Sequence, residues 1–321
     1  MSLTFTQLSA LGTKFYEKKL ADGIYNSAAA VMRMTRPEKL NIIDGGLSIV
    51  KPLINSKPGS TSGGYYDGRN TLAIEESDNI TASEYQWKYL YESIRIFQAD
   101  LDKNSGSSQQ VKLLESKYKI AKMNMTDKLA TGLFSDGTAA TGALTANQIT
   151  GMRAMISTSS TYGGIAVADM AEWVAVVKAN GGTNRPLSLN LIQQAMGAAT
   201  QDSEKPTVAY LLQNVYDQLW SLIQPAQRIF NGEMGKLGFE NILEVNGVPF
   251  IVDSHMKANS IFFLNENHVE LTVHKNSNMR IVSHDSLESS DSMLKKIFWS
   301  GNLTCSNRRF QAELADIEVA A

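Results

Sequence analysis

The stretch SSQQVKLLESKYKIAKMNMTDKLATGLFSDG, residues 107–137, has the residue pattern of one long amphipathic helix. Its apolar residues recur at spacings of three and four, which places them on one helix face: Val111, Leu114, Tyr118, Ala121, Met125 and Leu129. Asp136-Gly137 then supplies the turn chemistry that ends the helix. A helix of about 26 residues at ~1.5 Å per residue spans roughly 40 Å. The stretch therefore predicts a strut along an elongated body.

The remaining surface of this predicted helix is rich in lysine. The lysines are Lys112, Lys117, Lys119, Lys122 and Lys128. The simplest interpretation of such a row is a helix face kept in water.

Upstream of the helix, the sequence predicts a long β-hairpin. A strand interrupted at Pro52 is predicted by LSIVKPLI (residues 47–54), and turn dipeptides fill NSKPGSTSGGYYDGRN (residues 55–70). TLAIEES (residues 71–77) predicts a strand, followed by a second in ASEYQWKYLYESIRIF (residues 82–97). In that second strand, aromatic side chains alternate with others: Tyr85, Trp87, Tyr89 and Tyr91. Such an aromatic face needs cover, either from its own subunit or from another.

Downstream, helical and strand-like runs succeed one another. GMRAMI (151–156) predicts a short helix, and Gly163-Gly164 predicts a tight turn with positive φ. Residues 187–223 predict two helical runs, the first capped by Ser188, the second starting at Val208 and ended by Pro225. Asn246-Gly247 predicts a type I′ hairpin turn, and residues 294–319 predict one long terminal strand. At the other end, Phe5, Leu8 and Phe15 predict an N-terminal helix. The class is α+β.

Composition excludes several function classes. The formal net charge of −2 argues against a dedicated nucleic-acid binder, which is usually strongly basic. No apolar run approaches the ~18 residues of a membrane span, and the start lacks the layout of a signal peptide. Cys305 is the only cysteine, so no intramolecular disulfide can form, which indicates a reducing site of synthesis.

The search for catalytic motifs is mostly negative. The sequence has no H-E-x-x-H, C-x-x-C, G-x-S-x-G or G-x-x-x-x-G-K-[ST]. Three weaker patterns are weighed against ordinary surface polarity: a metal site, an acid–base pair and a phosphate contact. The candidate metal site would be His268, Glu270 and His274. The candidate acid–base pair is Asp253 and His255, and the candidate phosphate contact is Arg308 and Arg309. No catalytic residue, cofactor site or metal site is therefore predicted, and the chain is expected not to be an enzyme.

Four phrases in fixed order carry a family resemblance. They are LFSDG (133–137), the pair ITGMRAMI (149–156) and STYGGI (160–165), NGVPFIVD (246–253) followed by IFFLN (261–265), and GNLTCSNRRFQAELADI (301–317). With the hairpin and the long helix before them, they make the chain resemble the major capsid proteins of tailed bacteriophages, which have the Hong Kong 97 type of fold. The resemblance covers nearly the whole chain.

The resemblance implies a division of the chain into four parts. Residues 1–45 would be an N-terminal arm, and 46–100 an extended loop with its tip at 57–70. Residues 101–184 and 266–321 would form a peripheral domain whose spine is the long helix, and 185–265 an axial domain. Candidate contacts to a second subunit in the extended loop are then Lys57, Tyr65, Tyr66 and Arg69.

The resemblance also implies function and partners. Hexamers and pentamers of the chain would form an icosahedral shell, a virion capsid that holds non-specifically packaged double-stranded DNA and is assembled in the bacterial host cytoplasm. The lysine face of the helix is the candidate DNA-facing surface. A portal protein is an expected partner, separate scaffolding and decoration proteins are left open, and no membrane is expected.

The short region before the loop predicts no large cleaved segment, and no Lys–Asn cross-link is expected. The alternatives are an encapsulin-type compartment, a tail component or a hydrolase.

Overall fold

The computed structural model describes residues 28–54, 65, 67–69, 80–103, 107–138, 147–170, 172–201, 203–227, 243–284 and 291–318. The helices are α1 (Ala29–Met34), α2 (Gln98–Lys103), α3 (Ser107–Leu133), α4 (Met152–Met155), α5 (Leu189–Ala199) and α6 (Gln213–Gln227). The first strands are β1 (Leu40–Ile43), β2 (Ile49–Ile54), β3 (Ile80–Tyr85), β4 (Lys88–Phe97), β5 (Val176–Lys178) and β6 (Val208–Leu211). The later strands are β7 (Leu243–Val245), β8 (Val248–Val252), β9 (Ile261–Leu264), β10 (Val269–His274), β11 (Arg280–His284), β12 (Ser292–Cys305) and β13 (Ala312–Leu314).

The long helix is present as α3, with 27 residues. Its predicted apolar face is buried at Leu114, Tyr118, Ala121, Met125 and Leu129, and half-buried at Val111. This face packs on a five-stranded sheet. In that sheet β1 pairs with β10 and β10 with β12, and β12 also pairs with β11 and with β4. Because the apolar spacing matches the helical period, burying that face against the sheet fixes the orientation of α3.

A second, six-stranded sheet has the order β5-β13-β9-β6-β8-β7. Successive side chains of a strand point to opposite faces of the sheet, and in the central strands the side chains on both faces are apolar. Val208 and Tyr210 join the core that contains α3, whereas Ala209 and Leu211 join a core shared with α5 and α6. α5 and α6 cover one face of this sheet, and its other face belongs to the core that also contains α3. Among the described residues, no helix is long and apolar enough to cross a membrane.

The hairpin strands β2 and β3 form their own two-stranded sheet. Pro52 lies inside β2 opposite Ala82, so the predicted strand break is wrong. Among the described strands, β2 pairs only with β3, so one edge of β2 makes no strand hydrogen bonds. Proline, which has no N–H to donate, is tolerated in such an edge strand. The predicted strand at 71–77 and the predicted helix at Phe5–Phe15 lie outside the described residues.

Local turn signals are confirmed by the structure. Asn246 and Gly247 have φ values of 54° and 73° in the turn between β7 and β8. Gly163 and Gly164 have φ values of 60° and 74°. The Ser188 hydroxyl accepts from Leu191 N at 3.3 Å and caps α5. These features depend on a few adjacent residues, which is why sequence predicts them well.

Three predicted elements are wrong in extent. The aromatic strand divides at Gln86–Trp87, so Tyr85 belongs to the hairpin and Tyr89 and Tyr91 belong to β4. The second helical run begins only at Gln213, because Val208–Leu211 is the fully buried strand β6, and that helix continues past Pro225. The terminal run is two strands: β12 in the five-stranded sheet and β13 in the six-stranded one.

The domain division stays a prediction, although strand pairing crosses its boundaries. β5 and β13, predicted as peripheral, pair in one sheet with strands of the predicted axial region 185–265. β1 of the predicted arm pairs with β10, and β4 of the predicted extended loop pairs with β12 over ten positions. We expect the true boundaries to follow the sheets.

Candidate functional site

The lysine side of α3 is a candidate contact surface. Lys112, Lys119 and Lys128 are exposed, while Lys117 and Lys122 are half-buried. Two large apolar residues lie among them, Ile120 with 54% and Met123 with 62% of their surface exposed. The face is therefore mixed, cationic with an apolar centre, which is more than a simply solvated helix side requires.

Lys128 is held by the protein itself. Its ammonium forms an ion pair with Glu92 of β4, whose other carboxylate oxygen accepts from Asn124 Nδ2 at 3.0 Å. Glu92 has the same strand parity as the buried Ile94 and Ile96, so its charge points towards α3. Asn124 and Lys128 lie one turn apart on α3 and fasten the helix to β4. Sequence reasoning missed this cluster, although the inward parity of Glu92 signals a buried charge that needs partners.

The hairpin base is anchored to the five-stranded sheet. Lys51 forms an ion pair with Glu270 of β10, and Tyr85 Oη donates to Cys305 O at 2.9 Å. Burial raises the pKa of the Tyr85 phenol. Of the candidate contacts to a second subunit, Tyr65 and Arg69 are exposed, while Lys57 and Tyr66 lie outside the described residues.

The strand β4 exposes aromatic side chains on the sheet face opposite α3. Tyr89 is 74%, Tyr91 51% and Phe97 44% exposed. Arg95 lies over the Phe97 ring at 4.7 Å. Of the predicted aromatic row, only Tyr85 is buried within the subunit, so Tyr89 and Tyr91 are the residues left to be covered by something else.

Arg308 is buried and cannot contact phosphate in a ligand. Its guanidinium donates to main-chain oxygens of the segment from α4 to Trp173: Met155, Ser157, Ser160, Trp173 and Ala154, at 2.8 to 3.4 Å. It also lies 5.3 Å from the Tyr162 ring centre. Burial lowers the pKa of Arg308. Arg309 is exposed, and both arginines lie in a 3₁₀ turn, not in the predicted strand.

The two residues of the candidate acid–base pair, Asp253 and His255, are in contact, and Asp127 also contacts His255. His255 Nδ1 lies 3.0 Å from Asp253 Oδ1, and His255 Nε2 lies 2.9 Å from Asp127 Oδ1 on α3. Ser254 Oγ is 3.4 Å from Nδ1, farther than the Asp253 oxygen. The imidazole therefore joins two carboxylates and does not activate the hydroxyl.

The three groups of the hypothetical metal site are engaged separately. His268 lies in a 3₁₀ turn between Ser306 Oγ (3.0 Å) and Glu204 Oε2 (2.6 Å). Glu270 binds Lys51, and His274 Nδ1 accepts from Asn276 N at 3.1 Å. Within the described part of the chain, no group of three or more His, Cys, Asp or Glu side chains could hold a metal ion.

One family model and several solved structures match this chain. The family model is that of the SU10 major capsid protein, and it matches residues 76–313. No curated protein sequence matches the chain.

Among solved structures, the capsid asymmetric unit of cyanophage A-1(L) is similar with a TM-score of 0.67 and 16% identity, over 90% of this chain and 93% of that one. The capsid of an empty GTA particle has a TM-score of 0.59 and 13% identity, covering 91% of each chain. The holo-SrpI encapsulin complex of Synechococcus elongatus PCC 7942 has a TM-score of 0.53 and 11% identity, covering 90% of each chain. These similarities confirm the predicted α+β capsid fold.

Proposed function

The chain belongs to the SU10 major capsid protein family, and from that premise we propose that it assembles as hexamers and pentamers into an icosahedral shell around double-stranded DNA. It is a phage major capsid protein, and its place is the virion capsid. The family match over residues 76–313 is the observation that carries this conclusion. A shell subunit needs broad contacts with its own copies and no active site, which supports a structural, non-enzymatic role.

The contact with DNA is proposed for α3. Lys112 and Lys119 are exposed, and Lys117 and Lys122 keep part of their surface in solvent. Lys128 contributes less, because Glu92 compensates its charge. Diffuse positive charge without base-reading groups suits a genome that is held without sequence preference. The overall charge of −2 fits such a local arrangement, because four lysines on one helix do not require a basic protein.

We expect the double substitution Lys112→Gln/Lys119→Gln to weaken DNA binding and its salt dependence. Each phosphate contact that is lost removes about 0.9 from the slope of log affinity against log salt, so the pair should remove about 2. The measurement is fluorescence anisotropy of a labelled DNA duplex with the purified chain from low to moderate salt. The control is Lys178→Gln, an exposed lysine on β5. If the slope of log affinity against log salt were the same for the double variant and the control, the proposal that α3 contacts DNA would be wrong.

Contacts between copies are proposed at the hairpin tip, through Tyr65 and Arg69, with Lys57 and Tyr66 in the same loop. The exposure of Tyr65 and Arg69 supports this, because an aromatic and a guanidinium are side chains that protein interfaces favour. A portal protein and assembly in the host cytoplasm belong to the same proposal, and scaffolding and decoration proteins are further partners it allows. The four-part domain division is part of it too, with its boundaries shifted to follow the two sheets.

The encapsulin-type compartment differs from this proposal in its contents. The encapsulin similarity is one of fold, and the family match favours the phage capsid. Nuclease-protected DNA inside purified particles supports the capsid, whereas a packaged enzyme without DNA would support the compartment.

A further inference from the structure

We propose that His255 is a proton-controlled latch between α3 and the six-stranded sheet. The doubly protonated ring joins Asp127 of α3 to Asp253 at the end of β8, and loss of the Nε2 proton releases Asp127. The latch would make the attachment of the long helix to this sheet weaken as the pH rises. The inference concerns a single subunit and goes beyond the assembly of the shell.

The buried half of the latch is firmly positioned. Asp253 follows β8 directly and is 5% exposed, and its backbone N donates to Leu211 O of β6 at 3.0 Å. Its carboxylate accepts from His255 N at 3.0 Å, from Ala30 N of α1 at 3.3 Å, and from the imidazole. A buried carboxylate that accepts from these three donors is held in a fixed position. Asp253 is therefore the fixed end of the latch.

The other half is open to solvent. The Asp127 side chain is 73% exposed, while the imidazole it contacts is 20% exposed. An exposed carboxylate is held only by what it binds, since water competes for it on its other sides. Asp127 is therefore the end that moves when the contact weakens.

The position of the ring between two carboxylates selects its protonated form. Neutral imidazole has one N–H and one lone pair, so it can donate to only one of two acceptors. The other nitrogen would then present a lone pair to a carboxylate oxygen at about 3 Å, which is repulsive. With both nitrogens protonated, each donates a charge-assisted hydrogen bond. The two short contacts are thus satisfied together only in the imidazolium state.

The surrounding charges agree with this state. The ring lies in an open groove of about 600 Å³ whose described lining contains three further titratable groups, Lys122 and Asp127 from α3 and Asp253 from the end of β8. From the start of α1, the groove is lined by Ala29 and the preceding Ala28, which carry no charge. Burial lowers the pKa of His255, but the hydrogen bonds and charges of Asp127 and Asp253 outweigh it, so the pKa is raised above its usual 6.5.

The direction of the pH effect follows from that raised value. A group whose pKa is raised on folding stabilises the folded contact fully below its unfolded pKa, near 6.5. The stabilisation is lost as the pH rises through the higher folded pKa. The latch is therefore closed below about pH 6.5 and opens as the pH rises through the higher pKa of the folded state. The attachment of α3 to β4 through Glu92, Lys128 and Asn124 does not involve His255, so the proposal concerns only the contact to the second sheet.

The test combines titration of His255 with hydrogen exchange of α3 in the full chain. NMR of the imidazole should give a pKa above 6.5 in the wild type, and Asp127→Asn should lower it by about 0.5 or more, since an opposite charge is removed. Hydrogen exchange of residues 115–133, corrected for intrinsic rates, should increase from pH 6 to pH 8.5 in the wild type. In Asp127→Asn that pH dependence should disappear, and in Asp127→Glu it should be restored.

The control is Glu115→Gln, which neutralises an exposed carboxylate on α3 about three turns earlier. It should leave both the His255 titration and the pH dependence of exchange unchanged. A His255 pKa at or below 6.5 overturns the latch. So does a pH dependence of exchange that persists in Asp127→Asn, because a purely structural contact shifts exchange by the same factor at every pH.

Discussion

Arg308→Ala should strongly destabilise the protein. The guanidinium satisfies five main-chain oxygens of the segment between α4 and Trp173, and the residue is 0% exposed. Ala154 O keeps its hydrogen bond from Ser160 Oγ, but the other four oxygens lose the donor that Arg308 supplies, at a cost of about 1–3 kcal/mol for each that finds no water. We expect the free energy of unfolding to fall by at least about 3 kcal/mol, measured by urea titration of the full chain.

The neighbour Arg309 provides the control, because it has the same side chain in an exposed position of the same 3₁₀ turn. Arg309→Ala should change stability by no more than about 0.5 kcal/mol. Arg308→Lys should recover little of the loss, since one ammonium cannot reproduce the planar set of five donors. If Arg308→Ala and Arg309→Ala were equally mild, the polar centre described for Arg308 would be wrong.

Gly151→Ala is expected to disrupt the end of the long helix. A Cβ at Gly151 would lie 2.4 Å from Leu133 O and 2.5 Å from Gly132 O, both backbone atoms at the C-terminus of α3. Its φ of −84° is ordinary, so the effect is purely steric. Backbone oxygens cannot rotate away as a side chain can, so we expect a loss of about 3 kcal/mol in the free energy of unfolding.

The matched control, Gly197→Ala, is expected to change the stability in the opposite direction. Gly197 lies in α5, is exposed, and has no atom within 4 Å of an added Cβ. Gly197→Ala should therefore stabilise the protein by up to about 1 kcal/mol, because alanine is the better helix former. Thermal unfolding of both variants measures the contrast. Stabilisation by Gly151→Ala as well would mean that α3 does not end against Gly151.

Elements with a strong local signal were predictable from the sequence. The apolar spacing from Leu114 to Leu129 predicts α3 because each side chain lies on the face that the sheet buries. The turn at Asn246-Gly247 and the cap at Ser188 are decided by neighbouring atoms. The overall fold was predictable only through the order of its phrases, since none of these signals specifies how two sheets share a chain.

Elements decided by distant partners were not predictable. Val208–Leu211 continues an apolar run that suits a helix, but β8 and β9 on either side of it make it a strand. The terminal run has strand character throughout, and only tertiary pairing divides it between two sheets. Pro52 is compatible with a strand because one edge of β2 lacks a described partner, which a single sequence does not reveal.

The sequence predicted several residues of the candidate site, but not which of them contact one another. The lysines of α3 are readable from the sequence, but the ion pair of Lys128 with Glu92 joins residues 36 positions apart. Asp253 and His255 were singled out as neighbours, whereas Asp127 comes from 128 residues away. Arg308 was weighed only as a phosphate contact, because the main-chain oxygens that surround its guanidinium come from residues about 150 positions away.

Cryo-electron microscopy of particles assembled from the purified full chain tests the central claim most directly. The account predicts closed icosahedral shells built from hexamers and pentamers, with the lysine face of α3 directed to the interior and the hairpin tip of one subunit on another. Rings, open tubes or unassembled monomers would contradict the shell itself, and α3 lysines on the outer surface would contradict its proposed contact with DNA.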